Sequence, residues 1–251
     1  NFNRNITPNP LLSDNGDPAD VTLDATGISA WGYNLGMMFN PSEKVRLGLN
    51  YRSEIIMEAR NGDATFNDVP AIAQGTFSNT RFNADLPLPA EVTTGLSVQV
   101  SEKLLLAFDY NYTLWSVYDA LVVDFENSVP TSVNARNYKN ASTYRLGAQY
   151  VATDKFTFRA GWYFDESPVQ DGYFAPETPR NDSMGFTGGL TYQVNKKLGI
   201  DFSFLYLHFD EVNNSYDHYS DPTAGTGDIL PFGGTYKSSV FSPGIGITYG
   251  F

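Results

Sequence analysis

The sequence predicts an all-β fold, a transmembrane antiparallel β-barrel. Three observations predict it: apolar and polar residues alternate along most of the 251-residue chain, the alternating segments are long, and their connections alternate between short turns and long loops. A strand that faces lipid on one side and the barrel interior on the other needs only about 9–11 residues of alternating character. A membrane-spanning helix is excluded, because no run of about 18 apolar residues occurs in the sequence.

Alternation with a period of two is the evidence for each strand. The clearest case places Phe156, Phe158 and Trp162 on one face and Thr157 and Arg159 on the other. The same period predicts nine strands in chain order, at about 28–40, 44–65, 79–100, 103–124, 138–152, 155–166, 183–194, 197–211 and 235–251. Further apolar faces are formed by Trp31, Tyr33, Leu35, Met37 and Phe39, by Val45, Leu47, Leu49 and Tyr51, by Leu104, Leu106, Phe108, Tyr110 and Tyr112, and by Ile200, Phe202, Phe204 and Tyr206.

The connections between the predicted strands are of two kinds. Four are short and polar, and they lie at 40–44, 101–103, 153–155 and 195–197. The other four are long and rich in Asn, Pro, Asp and Ser, and they lie at about 66–78, 125–137, 167–182 and 212–234. Short turns at one end and long loops at the other are typical of an outer-membrane barrel, in which the turns are periplasmic and the loops extracellular.

A soluble β-sandwich is the alternative, because its strands also alternate an apolar face with a polar one. Alternation alone leaves the two folds open. The barrel is favoured by the length of the strands, by the regular exchange of short turns and long loops, and by aromatic residues near the strand ends, where the interfacial girdles of a barrel lie.

The composition disfavours several classes of protein. Asp and Glu number 28 against 16 Lys and Arg, which gives a net charge of -12 and argues against a nucleic-acid partner, since phosphate binding needs a basic face. No Cys is present, which excludes disulfides and thiol catalysis. His208 and His218 belong to no spaced metal or catalytic motif. We therefore predict that the protein is not an enzyme and has no catalytic residue, metal site or cofactor.

The polar face of the strands would line the barrel interior. It carries charges of both signs, namely Arg46, Arg52, Glu54, Glu58, Glu91, Asp109, Arg145, Arg159, Asp165 and Asp201. It also carries Gly48, Gly95, Gly147, Gly161, Gly185, Gly189, Gly199 and Gly246. These glycines have two interpretations that the sequence does not separate: they let something inside the barrel approach the wall closely, or they permit the strands to bend.

Eight segments, in this order along the chain, resemble the FadL family of long-chain fatty acid transporters. They are Trp31–Gly36, Leu47–Glu54, Gly62–Ala64, Leu88–Ala90, Trp115–Ser116, Phe158–Gly161, Phe164–Val169 and Pro179–Asp182. The resemblance implies a fourteen-stranded barrel with an N-terminal hatch, in the outer membrane of a Gram-negative bacterium. Nine strands would then be the last nine of about fourteen, with the hatch and the first strands absent from this sequence. Residues 1–27 would be an extracellular loop segment, and residues 28–251 the C-terminal nine strands.

The resemblance also implies passive uptake of long-chain fatty acids or other hydrophobic small molecules, with outer-membrane lipid around the barrel. A fatty-acid carboxylate needs a cation or hydrogen-bond donors inside the site. The candidate cations are Arg52, Arg136, Lys139, Arg145 and Arg159. The loop aromatics Tyr173 and Phe174 are candidates for ligand capture.

Each of these assignments has an alternative. The interior arginines could pair with nearby carboxylates such as Glu54 or Asp109, and the loop aromatics could pack the loops together. A second functional hypothesis is an accessory or adaptor barrel that binds a protein partner in a secretion or surface complex, because some FadL-like proteins are of this kind. A bound lipid inside the barrel, or a stable protein partner outside it, would separate the two functions.

Overall fold

The computed structural model describes residues 2–5, 19–175, 180–218 and 232–250, with the backbone alone for residues 2–5. No helix among the described residues is long and apolar enough to cross a membrane. The strands described are β1 (Phe2–Asn5), β2 (Asp20–Asp24), β3 (Asn34–Ser42), β4 (Val45–Arg52), β5 (Ile55–Asn67), β6 (Thr80–Leu88), β7 (Glu91–Gln99), β8 (Leu104–Thr113), β9 (Ala120–Phe125), β10 (Ser132–Ala135), β11 (Ala141–Val151), β12 (Phe156–Asp165), β13 (Ser183–Gln193), β14 (Leu198–Tyr216) and β15 (Phe232–Tyr249).

Nine of these strands form one antiparallel sheet in the order β3-β4-β7-β8-β11-β12-β13-β14-β15. Each of the nine predicted strands contributes one member, and the members follow one another in chain order. The all-β, antiparallel prediction is therefore confirmed. This sheet, called the wall below, is a meander in which neighbours in space are also neighbours in chain order. Between β4 and β7 the chain passes through β5 and β6, and between β8 and β11 through β9 and β10.

Three predicted strands are each divided in two, so their predicted extents were wrong. Residues 44–65 form β4 and β5, residues 79–100 form β6 and β7, and residues 103–124 form β8 and β9. At the first break, the buried Ser53 is bonded twice to Tyr33, through its amide N and its Oγ, at 2.9 Å each. Pro89 lies at the second break and has no amide hydrogen to donate. A 3-10 turn, Trp115–Val117, lies at the third.

The second sheet has the order β1-β2-β5-β6-β9-β10. It belongs to a separate compact unit, within residues 1–32, 54–88 and 118–136, whereas the nine-stranded sheet belongs to the unit of residues 33–53, 89–117 and 137–251. Two predictions change as a result. Glu58 lies in this second sheet and not in the nine-stranded wall, and the predicted loop 125–137 contains β10. The prediction that residues 1–27 are extracellular stays a prediction; among the described ones, β1 and β2 pair with each other.

The six-stranded sheet buries one of its faces. Its core contains Val21, Ala64, Phe82 and Val123, against which the partly buried residues Leu23, Ala25, Ala59, Phe66, Ala84 and Phe125 pack. Gly62 lies under the ring of Phe82, where a Cβ atom would overlap the ring carbons. This sheet therefore has an apolar core formed by side chains of its own strands.

The nine-stranded sheet leaves its aromatic face exposed, with Phe158 at 48% and Ile245 at 71% of their full accessibility. Aromatic pairs mark two levels of this face, Phe156–Tyr192 with ring centroids 5.1 Å apart and Tyr110–Tyr144 at 5.2 Å. By register the two levels are eight residues apart, about 27 Å along a strand. With a tilt of about 35–45° the separation is about 20 Å, close to the height of the apolar band of a transmembrane barrel.

Candidate ligand-binding surface

The polar face of the nine-stranded sheet carries a ladder of hydrogen bonds across five strands. Arg159 on β12 donates from Nε to Oε1 of Gln149 on β11, at 2.9 Å, and from Nη1 to Oγ1 of Thr191 on β13, at 2.6 Å. Thr191 is hydrogen-bonded to Asp201 on β14, which lies 3.5 Å from Oγ1 of Thr248 on β15. The ladder supports the assignment of this face as polar, and it connects the charge of Arg159 to Asp201 through a hydroxyl.

Glycines on the polar face make room for side chains of neighbouring strands. A Cβ at Gly95 would lie 2.7 Å from Oδ1 of Asp109, and a Cβ at Gly185 would overlap the ring of Tyr163. By contrast, a Cβ at Gly48 or Gly147 would meet no atom within 4 Å. The structure thus adds a third role to the two predicted ones: some of these glycines receive a cross-strand side chain, and others leave open space.

Open space also forms a concavity of about 390 Å³ beside β3, β4, β7 and β8. Gly36, Gly48 and Gly95 contribute backbone in place of side chains, and Met38 and Thr93 lie among its other lining residues. Because three lining positions have no side chain, the space is available to a molecule other than the wall itself.

The candidate cations of the nine-stranded unit differ in their partners. Arg52 is ion-paired with Glu91, its register neighbour, at 3.0 Å. Arg159 is bound to the neutral groups of the ladder. Arg145 is exposed, and no carboxylate lies within 4.0 Å of it among the described residues. Lys139 is also exposed, and its amide N donates to the carbonyl of Pro168 at 2.9 Å.

Arg136 lies in the other unit, just after β10, and is only 3% exposed. Its amide N donates to the carbonyl of Asp119 at 2.7 Å. The structure therefore brings the five predicted cations into three settings: the polar face of the wall for Arg52, Arg145 and Arg159, the loop end for Lys139, and the interior of the six-stranded unit for Arg136. Their predicted contacts with a ligand stay predictions.

The candidate loop aromatics belong to an aromatic cluster. Tyr173 stacks on His218 with ring centroids 4.2 Å apart, and Phe174 packs against Tyr236 at 4.7 Å. Phe174 is buried, and its amide N donates to the carbonyl of Ser215 at 2.9 Å. The cluster holds the loop to the extended ends of β14 and β15, which is the packing role considered above; a role in ligand capture stays a prediction.

The segment around Arg180–Asp182 is fixed by a polar network. Asp165 accepts from Oγ1 of Thr143 at 2.6 Å and is ion-paired with Arg180. The amide N of Ser167 donates to Oδ1 of Asp182 at 2.6 Å, and its hydroxyl to the carbonyl of Arg180 at 2.7 Å. Pro179, the first residue of the resembling segment, lies outside the described residues. The network leaves the carboxylate of Asp165 engaged and unavailable to other cations of the wall.

Sequence reasoning missed Gln149 and Thr191, which orient Arg159. Alternation places both on the polar face, but their proximity to Arg159 depends on the register of β11, β12 and β13. In the same way, the register of β7 and β8 decides that Asp109 lies over Gly95. In the sequence, Gln149 and Thr191 are recognisable only as polar residues on the polar face, which does not identify Arg159 as their partner.

Comparisons with known proteins agree with this architecture. The chain is 29% identical over 206 residues to outer membrane protein P1 of Haemophilus influenzae, covering 80% of this chain and 44% of the relative. It is 25% identical over 222 residues to the long-chain fatty acid transport protein of Escherichia coli K12, covering 84% and 49%. The chain thus spans about half the length of the curated relatives it matches.

Solved structures share the fold. A Pseudomonas aeruginosa FadL homologue superimposes with a TM-score of 0.72 at 20% identity, covering 87% of this chain and 52% of that one. The CymD monoaromatic hydrocarbon channel gives 0.60 at 22% identity, covering 93% and 56%. These likenesses confirm the fold of an outer-membrane β-barrel of the FadL type.

Residues 9–251 match the sequence profile of a family described as outer membrane protein transport protein (OMPP1/FadL/TodX). This match covers nearly the whole chain, and the named relatives are outer-membrane proteins of Gram-negative bacteria. The family description names transport, and one of the named relatives is a long-chain fatty acid transport protein. The chain therefore belongs to the OMPP1/FadL/TodX family of outer-membrane transport proteins.

Proposed function

We propose that this chain forms part of a passive uptake route for long-chain fatty acids and other hydrophobic small molecules across the outer membrane. Two names among its relatives support the substrate class: a long-chain fatty acid transport protein and a monoaromatic hydrocarbon channel. This uptake requires no cofactor and no energy source, because the free energy of an apolar solute falls when the solute leaves water.

The observation that carries the proposal is the concavity of about 390 Å³ beside β3, β4, β7 and β8. Its glycine positions expose backbone, and the side chain of Met38 adds an adaptable apolar surface. Each methylene group that an apolar ligand buries there contributes about 0.8 kcal/mol. A water-filled pore would offer no such gain, so the concavity favours hydrophobic solutes over small polar ones.

Lys139 is the cation that we assign to capture at the loop end. It is exposed, and its backbone is held by Pro168 of the loop that carries Tyr173 and Phe174. Arg52 is less suited, because the carboxylate of Glu91 already balances its charge. Arg136 is buried in the six-stranded unit, and a buried guanidinium is too enclosed to meet a ligand first.

The test is uptake into liposomes that contain the complete protein and no energy source. Labelled oleate and labelled toluene should both enter faster than into protein-free liposomes. Lys139→Ala should slow oleate entry at low concentration by about two- to fivefold, the effect of losing one exposed charge contact, and should leave toluene entry unchanged. Lys155→Ala, in the short turn at the opposite end of β11 and β12, is the matched control and should match the wild type for both solutes.

Absence of entry for both solutes would overturn the proposal. If, in that case, a second polypeptide co-purified with the protein in a fixed ratio, the accessory or adaptor function would replace it.

A further inference from the structure

Arg145 lies on the polar face near the middle of the nine-stranded sheet. In the register of the sheet its neighbours are Asp109 on β8 and Tyr163 on β12. A carboxylate directly across from an arginine normally forms an ion pair with it. Yet Arg145 has no carboxylate within 4.0 Å among the described residues, although it is exposed.

The reason is that both neighbours lean away from Arg145. Oδ1 of Asp109 lies over Gly95, 2.7 Å from where a Cβ would be, and the ring of Tyr163 lies over Gly185. Each glycine is on the strand beyond the neighbour, on the side remote from β11. The end of the Asp109 side chain and the ring of Tyr163 are therefore both displaced away from β11, the strand that carries Arg145.

The surface next to Arg145 is open at one glycine and covered by a hydroxyl at the next. Gly147, two residues further along the same face of β11, has open space where a Cβ would be, and it is paired directly with Gly161 on β12. The hydroxyl of Thr187 lies 2.5 Å from the Cβ position of Gly161 and is exposed. Two opposed glycines weaken the interior of a sheet and mark a place of close approach. The backbone is thus bare at Gly147, two residues from Arg145, and the hydroxyl of Thr187 lies over the adjacent Gly161.

We propose that Arg145, with the bare backbone at Gly147 and the hydroxyl of Thr187, forms a subsite that binds the carboxylate of an amphiphilic apolar ligand. A guanidinium offers two parallel N–H donors to a carboxylate, and the hydroxyl of Thr187 can donate a further bond. Gly95 is a positioning residue, because it holds the competing carboxylate of Asp109 aside. This inference rests on the proposed function and deepens it, since it names a residue that separates carboxylated ligands from neutral ones.

The experiment compares the binding of oleate with that of its methyl ester to the complete protein in detergent. Arg145→Gln should lower the affinity for oleate about tenfold or more, because a charge-assisted contact is lost. The affinity for the methyl ester should not change. Gly95→Ala should lower oleate affinity without changing Arg145, because the new methyl group displaces the flexible end of Asp109 towards it. Gly95→Ala combined with Asp109→Asn should restore oleate binding.

Gly246→Ala is the matched control for Gly95→Ala. Gly246 is also paired with an aspartate, Asp201, but its Cβ would make an ordinary contact at 3.6 Å, so oleate binding should not change.

The subsite is overturned if Arg145→Gln binds oleate as the wild type does, or if the substitution lowers the affinities for oleate and for the ester equally. It is also overturned if Arg145→Gln only destabilises the protein, as expected when Arg145 pairs with a protein carboxylate. In this experiment the proposed function itself fails if the wild type binds neither compound.

Discussion

The two sheets of this chain follow the same alternation of apolar and polar residues but treat their apolar faces in opposite ways. In the six-stranded sheet Val21 and Phe82 are 3% and 5% exposed. In the nine-stranded sheet the corresponding face leaves Phe158 and Ile245 about half or more exposed. The period of two determines which residues share a face of a strand. What covers that face depends on how the whole sheet packs. The first sheet covers its apolar face with its own side chains, whereas the second leaves that face exposed, as expected of a face that meets lipid.

The largest expected effect is the loss of a core ring in the six-stranded sheet. Phe82→Ala should lower the free energy of unfolding of this unit by about 3–5 kcal/mol, because it leaves a cavity among Val21, Ala64 and Val123. Hydrogen exchange of β5 and β6 in the complete protein measures it. Phe158→Ala, on the exposed aromatic face, leaves no such cavity and should cost much less. Equal effects for the two substitutions would show that the comparison between the sheets is mistaken.

A charge placed on the apolar face tests which solvent covers it. Leu106 lies halfway between the two aromatic levels and is 43% exposed, and Val122 in the six-stranded sheet is 39% exposed. Leu106→Arg should cost about 2–4 kcal/mol, as at the midplane of a bilayer, whereas Val122→Arg should stay within about 0.5 kcal/mol. Urea unfolding of the complete protein in lipid vesicles measures both. A small cost for Leu106→Arg would mean that water, and not lipid, covers that face.

The sequence predicted the members of the nine-stranded sheet and their faces because a period of two survives in every one of them. It did not predict the second sheet, because the alternation continues through the breaks at Ser53, Pro89 and Trp115, and no composition change marks them. The candidate cations were assigned to the polar face from alternation alone. Their actual partners, such as Gln149 for Arg159, depend on cross-strand register, which is set by long-range pairing and is not encoded in local pattern.

Glycine substitutions compare tight and open positions in the two sheets. A Cβ at Gly62 would overlap the ring of Phe82, so Gly62→Ala should cost about 1–3 kcal/mol through overpacking. Gly48 in the nine-stranded sheet has no atom within 4 Å of its Cβ position, so Gly48→Ala should be neutral or stabilise by up to about 1 kcal/mol. The free energies of unfolding of the two variants, each compared with the wild type, test both expectations. A destabilising Gly48→Ala would mean that something in the complete protein contacts the wall there.

The smallest expected effect is the coupling energy of an ion pair on the polar face of the nine-stranded sheet. The Arg52–Glu91 ion pair lies on the polar face, with its side chains 52% and 24% exposed. If water reaches this face, a double-mutant cycle with Arg52→Ala and Glu91→Ala should give a coupling of about 0.2–1 kcal/mol. That coupling should fall at about 1 M salt, where the Debye length is about 3 Å. A coupling that stays constant with salt would require a face closed to ions, such as one covered by lipid or by packed protein. Because the same wall exposes Phe158 on its other side, this small number tests whether the sheet separates two solvents, which is the property on which the uptake of hydrophobic molecules depends.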